Sequence, residues 1–195
     1  MAGESAGAIS PTEDRSISLG RANLLALAIS IPVAAVLWVA YSMLQSGRPL
    51  SAPLMSPPGL ASLLAAIVIA VPLHEAIHAL AWAVCGRVAL RRVKFGMATR
   101  TLNPYAHLLD PIPARAYRWG TAMPGLILGL LPCLAALAAG SAWWMLFGLT
   151  LTLAAGGDLL VLWLLRGVDP RSRVLDHPSR AGCLVMERRL APPAG

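Results

Sequence analysis

Four long stretches of apolar residues, each interrupted by few charges, dominate the pattern of this sequence. They run approximately over residues 23–43, 59–85, 121–139 and 142–165. Each is close to the roughly 20 residues that an α-helix needs to cross a bilayer. The pattern predicts an all-α membrane protein with four transmembrane helices, which we number spans one to four.

Three polar segments lie outside the spans. Residues 1–22 have no apolar face, and we expect a disordered cytoplasmic N-terminus there. The polar start and the long first apolar run are not typical of a cleaved signal peptide, so span one is expected to remain as an anchor. The middle loop, residues 86–120, alternates over Val88–Phe95 in the manner of a strand, so a short β-hairpin can form in it. Residues 166–195 form a short basic cytoplasmic tail, in which Asp176, His177 and Pro178 predict a turn.

Composition supports a membrane protein and excludes several other classes. Of the 195 residues, 57% are hydrophobic and 13% are charged, whereas soluble domains carry about 25% charged residues. The net charge of +7 comes without basic patches interleaved with aromatic residues, so no nucleic-acid partner is expected. The three cysteines, Cys85, Cys133 and Cys183, lack CxxC spacing and indicate neither a disulfide framework nor a thiolate zinc site.

The distribution of Lys and Arg predicts the orientation. Two precede span one, one lies in the first loop, seven lie between spans two and three, none in the third loop and six after span four. Since cytoplasmic loops are enriched in Lys and Arg, both termini and the middle loop are expected in the cytoplasm of a multi-pass plasma membrane protein. A basic middle loop can also lie on anionic lipid headgroups, an alternative at least as well supported as the hairpin.

Span two contains His74-Glu75-Ala76-Ile77-His78, an HExxH pattern. Residues four apart lie on one helix face, so His74 and His78 can reach one metal ion. In zinc hydrolases the glutamate after the first ligand takes a proton from the attacking water and returns it to the leaving group, which predicts Glu75 as the base. Polar contacts between helices and bis-histidine haem ligation remain alternatives, although haem leaves Glu75 unexplained.

A catalytic zinc needs a third protein ligand. Asp158 is the one acid other than Glu75 inside a span, and Asp158 and His78 both precede the cytoplasmic end of their spans by about 10 Å. Gly156 and Gly157 are expected to let span four approach the histidine face. The alternative for Asp158 is a buried acid paired with Arg166 or a histidine. His107 and Asp110 are reserve ligands, Tyr105, Arg115 and Arg118 are expected interface anchors, and the GxxxG of Gly125 and Gly129 predicts helix packing.

At the HExxH pattern, at Gly156-Gly157-Asp158 and at Met123-Pro124-Gly125, the chain resembles the site-2-protease-like intramembrane metalloproteases. It resembles more closely the small four-span family named "putative zincin peptidase". The resemblance covers roughly residues 59–165. Site-2 proteases carry an Asp-Gly pair after an upstream asparagine and proline, whereas Leu159 follows Asp158 here.

The resemblance implies a zinc metalloprotease that hydrolyses peptide bonds in or next to the membrane. Its cofactor is Zn²⁺, its ligands are His74, His78 and Asp158, and its partners are the bilayer and a peptide or membrane-protein substrate. In the resembling proteases, a hairpin in the middle loop can pair with an extended substrate. The alternatives are a non-catalytic metal-binding membrane scaffold and, less well supported, a metal or proton carrier.

Overall fold

Helices make up most of the structure, a computed structural model that describes residues 9–47, 49–98 and 103–188. A π-helical segment, Gly125–Leu130, joins α3 to α4, and short 3₁₀ turns occupy Ala52–Met55 and Leu90–Arg92. The α-helices are α1 (Leu19–Leu44), α2 (Pro57–Gly86), α3 (Ala114–Pro124), α4 (Leu131–Ala139), α5 (Ala142–Ala154) and α6 (Gly156–Leu164).

Within the part of the chain that the structure describes, three helical stretches are long and apolar enough to cross a membrane. They are α1, α2 and the continuous helix Ala114–Ala139, which combines α3, the π-helical segment and α4. Together, α5 and α6 make a fourth candidate that is bent by 44°. The bundle exposes large apolar side chains such as Val36 and Val68, both 69% exposed. Such contiguous apolar surface is rare on soluble monomers and suits contact with lipid.

The expectation of an all-α protein with a possible hairpin is confirmed only in part, because the described residues are mostly helical but also form two antiparallel sheets. One is a hairpin in the middle loop, formed by Val93–Ala98 (β2) and Asn103–Leu108 (β3), which confirms the predicted hairpin. The other has four strands in the order β1-β6-β5-β4. The strands are β1 (Ile9–Ile17), β2 (Val93–Ala98), β3 (Asn103–Leu108), β4 (Ile112–Pro113), β5 (Arg173–Asp176) and β6 (Ala181–Arg188).

Residues 9–17, expected to be disordered, form β1. This strand pairs along its length with β6, in a register that aligns Asp14 with Leu184 and Ile17 with Ala181. Its own sequence is polar and has no alternating apolar face. Backbone hydrogen bonds to a partner that lies at the other end of the chain therefore define it, and the local pattern could not indicate them.

The four-stranded sheet lies where several helices begin or end. The chain passes from β1 into α1 and from β4 into α3, and β5 follows α6. Buried side chains of the sheet, including Val174 and Cys183, form one core with Trp82 from the last turns of α2. The end of α2 that follows the HExxH pattern is thus packed against this sheet.

Small residues bring the third helical stretch close to α5. A Cβ added at Gly129 would lie 2.7 Å from Thr152 Oγ1, and one at Gly125 would lie 3.2 Å from the Cβ of Ala155. Gly148 of α5 faces the Gly129 carbonyl in turn, because a Cβ added there would lie 2.8 Å from it. The predicted packing role of Gly125 and Gly129 is confirmed.

Gly156 and Gly157 were expected to let span four approach the histidine face of span two, and this expectation is wrong. Gly156 faces α1, since a Cβ added there would lie 2.7 Å from the Ala26 carbonyl oxygen and 2.9 Å from Ser30 Oγ. Gly157 has no atom within 4 Å of the equivalent position. The first glycine therefore positions α6 against α1, and the second has no steric role.

We expect Gly156→Ala and Gly157→Ala to behave differently although they are adjacent. Gly156→Ala must displace the backbone of α1 and should destabilise the protein by about 1–3 kcal/mol. Gly157→Ala should be neutral or stabilising by up to about 1 kcal/mol, because alanine favours helix. Thermal unfolding of both variants in the same detergent measures the difference. Equal midpoints would show that α6 does not press on α1 at Gly156.

A second prediction concerns Cys183, which lies in β6 of the four-stranded sheet. This thiol is fully buried, and burial raises its pKa to about 12. Because the thiolate is the reactive form, a raised pKa lowers reactivity at pH 8. In a Cys85→Ser, Cys133→Ser background, maleimide should therefore label folded protein at least about a hundredfold more slowly than denatured protein. Rapid labelling of the folded protein would contradict the packing of β6.

Candidate metal centre

The two histidines of the HExxH pattern project from one face of α2. They are one helical turn apart, and their ring centroids lie 4.9 Å from each other with the planes at 78°. His78 is buried, with 5% of its surface exposed. Helix α2 continues through Pro72 to Gly86, so the backbone that carries both rings is regular. A regular helix is sufficient to bring both rings to one point in space.

A hydrogen bond orients the His78 ring. Its Nδ1 lies 3.0 Å from the Gly120 carbonyl oxygen of α3. Since a carbonyl can only accept, Nδ1 carries the proton, and in the neutral ring Nε2 keeps its lone pair. Metal-binding histidines are commonly oriented in this way by a carbonyl on the second ring nitrogen.

Gly120 and Trp82 support this bond, and neither was predicted from the sequence. Trp82 stacks on His78 and on Tyr117, with centroid distances of 5.2 and 5.5 Å. A Cβ added at Gly120 would lie 2.0 Å from Trp82 Cδ1, so only glycine lets α3 come this close. Trp82 could have been predicted from the sequence, because it lies four positions after His78 and therefore on the same face of α2. The sequence held no signal that pairs it with Gly120.

Asp158 reaches the histidines from the first turn of α6. Its Oδ2 lies 3.1 Å from His74 Nε2, and its Oδ1 lies 3.2 Å from His78 Nε2. The structure thus brings together the three residues that the sequence proposed as ligands, one ligand atom of each lying within 4.8 Å of the others. The break after α5 makes Asp158 part of a helix N-terminus, which favours a negative charge.

The cluster has the donor set and spacing of a cation site. Asp158 Oδ2 is buried and accepts no hydrogen bond of good geometry from any described residue. The lone pair of His78 Nε2 also faces a carboxylate oxygen, so a proton or a cation has to lie between them. Ligands of one tetrahedral zinc are roughly 3.4 Å apart, close to the distances observed. Two imidazole nitrogens and one carboxylate oxygen fit zinc.

Glu75 lies beside the cluster and contacts the hairpin. Its Oε2 accepts a hydrogen bond from the Ala106 N–H of β3, with an N···O distance of 2.6 Å. That leaves Oε1 for other interactions. The side chain that the sequence proposed as a base is thus fixed at one oxygen by the edge of β3. The sequence analysis did not anticipate this contact, which joins residues 31 positions apart.

The reserve ligands are placed elsewhere. Asp110 is paired with the Arg92 guanidinium, whose Nε lies 2.6 Å from Oδ2, and this partner holds the pKa of Asp110 below its usual range. His107 faces Asp176, with Nδ1 3.7 Å from Oδ2. Arg166 packs over the Trp163 ring and donates to its carbonyl, so the predicted alternative of an Asp158–Arg166 pair is wrong. The alternative that pairs Asp158 with a histidine agrees with the observed distances.

An HExxH pair on one apolar helix, met by a carboxylate from another, is the arrangement expected of a zincin-like protein, and the helices that carry it are compatible with a membrane. The family described as putative zincin peptidase matches residues 67–172, which is more than half of the chain. The chain therefore belongs to this family, whose description indicates a metallopeptidase and implies zinc. No curated protein and no solved structure shows a significant match.

Proposed function

We propose that this protein is an intramembrane zinc metalloprotease, similar to the site-2 proteases, which hydrolyses peptide bonds in or next to the membrane. The observation that carries the proposal is the convergence of His74, His78 and Asp158, with Glu75 on the adjoining turn of α2. Ionisable residues inside an apolar span cost about 2.5–3.5 kcal/mol each on insertion scales, so their clustering indicates a function.

The proposed roles follow from the positions of the side chains. His74, His78 and Asp158 would hold zinc, which would supply Lewis-acid chemistry toward a peptide carbonyl and toward water. The Gly120 carbonyl keeps the His78 ring in the tautomer that ligation requires. Glu75 takes a proton from the attacking water through Oε1 and delivers it to the leaving amine, while Ala106 fixes Oε2.

A substrate has to be extended at the cleaved bond, since a helix shields its own carbonyls. The hairpin beside Glu75 can serve as a template for such a strand, in the manner of β-strand addition. We further propose that both termini and the middle loop face the cytoplasm at the plasma membrane. The Lys and Arg distribution supports this orientation, as does the sheet that joins β1 and β6 to β4 of the middle loop.

A second candidate is a non-catalytic metal-binding scaffold, and the Glu75–Ala106 hydrogen bond favours it. In a scaffold, this bond would be the reason for a carboxylate at position 75, since it attaches the hairpin to α2. Such a scaffold requires the three metal ligands but does not require Glu75 as a base.

Metal analysis is the first test. Protein purified in detergent through a tag without histidine should carry about one zinc per chain. His74→Ala and His78→Ala should lose most of it, and Asp158→Asn should weaken binding by at least about tenfold because the ligand charge is removed. His107→Ala is the matched control and should retain the metal. Full zinc content in all three ligand variants would refute the site.

Glu75→Gln separates the protease from the scaffold. Glutamine can still accept the Ala106 N–H but cannot act as a base, so the variant should fold and bind zinc while cleavage falls by at least about a hundredfold. The measurement compares new amino termini among host membrane proteins in cells with wild-type protein, Glu75→Gln or His78→Ala. Termini that depend on both residues support the protease. Equal cleavage by wild type and Glu75→Gln would exclude Glu75 as the base, and no cleavage by wild type would favour the scaffold.

A further inference from the structure

Asp176 is a partly buried carboxylate outside the spans and outside the region matched by the family. It ends β5, and 12% of its side-chain surface is exposed. One oxygen accepts the Leu108 N–H of β3, with an N···O distance of 2.6 Å, and the other accepts the Tyr117 hydroxyl of α3. Burial raises the pKa of this carboxyl, whereas the two hydrogen bonds favour its ionised form. Such a costly group is retained only where its hydrogen bonds are needed.

The two carboxylates that contact β3 use the same edge of the strand. Ala106 and Leu108 are two residues apart, so their N–H groups point in the same direction in the plane of the sheet. Strand β2 pairs with the opposite edge. Glu75 and Asp176 therefore take consecutive outward N–H groups, and a slip of β3 by one residue would turn both away.

Asp176 also connects this edge to the support of the metal ligands. Its partner Tyr117 stacks on Trp82, and Trp82 stacks on His78. Trp82 in turn donates from Nε1 to the Tyr117 carbonyl, at 3.2 Å. The Asp176 carboxylate, from the four-stranded sheet, thus joins β3 to the same side chains that hold His78 in place.

We propose that Asp176 is a positioning residue, which holds β3 in the register where the Ala106 N–H meets Glu75. Asp176 contacts neither the proposed ligands nor the base. It acts through Leu108 on the strand and through Tyr117 on α3. The catalytic consequence rests on the proposed function, whereas the effect on β3 does not.

Three substitutions at Asp176 distinguish the effect of the position of its side chain from the effect of its charge. Asp176→Ala removes both acceptors. Asp176→Asn keeps the shape, since its amide oxygen can accept the Leu108 N–H and its amide nitrogen can donate to the Tyr117 oxygen. Asp176→Glu keeps the charge but displaces the carboxylate by one methylene. Glu13→Ala is the matched control, because it removes an exposed carboxylate from the same four-stranded sheet, where Glu13 pairs with Arg15 of its own strand.

Hydrogen exchange of the segment 103–110, measured on the full chain in detergent, is the first readout. Asp176→Ala and Asp176→Glu should exchange at least about tenfold faster than wild type, and Asp176→Asn and Glu13→Ala at the wild-type rate. Zinc content should not change in any of them. If Asp176→Ala does not fold, the contrast between the asparagine and glutamate variants decides. Wild-type exchange in Asp176→Glu with fast exchange in Asp176→Asn would overturn the proposal, because charge rather than position would then matter.

The second readout is the set of Glu75-dependent cleavages. Turnover should fall by at least about tenfold in Asp176→Ala and Asp176→Glu and stay near wild type in Asp176→Asn. Equal turnover in all three, with altered exchange, would overturn the catalytic part. If wild type shows no Glu75-dependent cleavage, the proposed function fails, and the exchange pattern still tests whether Asp176 positions β3.

Discussion

Ionisable side chains among packed apolar helices must satisfy one another, because an apolar environment offers no water to do so. In this protein the constraint falls on His74, His78 and Asp158, whose nitrogen and oxygen atoms lie 3.1 and 3.2 Å apart across two helices. The rest of the bundle makes this contact possible. Glycines bring the third helical stretch close to α5, the chain breaks after α5, and Asp158 is presented at the start of α6.

The sheets support the same contact from the end of the bundle. The four-stranded sheet packs on Trp82, which lies one turn beyond His78, and the hairpin contacts Glu75. Elements from the two ends of the chain therefore converge on a motif in its middle. This arrangement gives the polar N-terminal strand and the C-terminal tail a structural role that their composition does not reveal.

In the proposed protease, Glu75 has two roles, as the base and as a partner of the hairpin. A base needs an oxygen accessible to water, and the hairpin needs an acceptor for the Ala106 N–H. A carboxylate meets both because it has two oxygens, whereas an amide meets only the second. The same reasoning applies to Asp176, which uses one oxygen for β3 and the other for α3.

The sequence by itself determined the apolar helices, the hairpin and the three residues that meet at the candidate site. Helical periodicity and the length of an apolar run depend on local composition, so the meeting of Asp158 with His74 and His78 could be predicted. Only the tertiary structure decided the Gly120–His78 bond, the contact of Gly156 with α1, the β1–β6 pairing and the role of Asp176. Each of these joins residues far apart in the chain through a backbone group or an absent side chain. Such contacts leave no periodic pattern in the sequence.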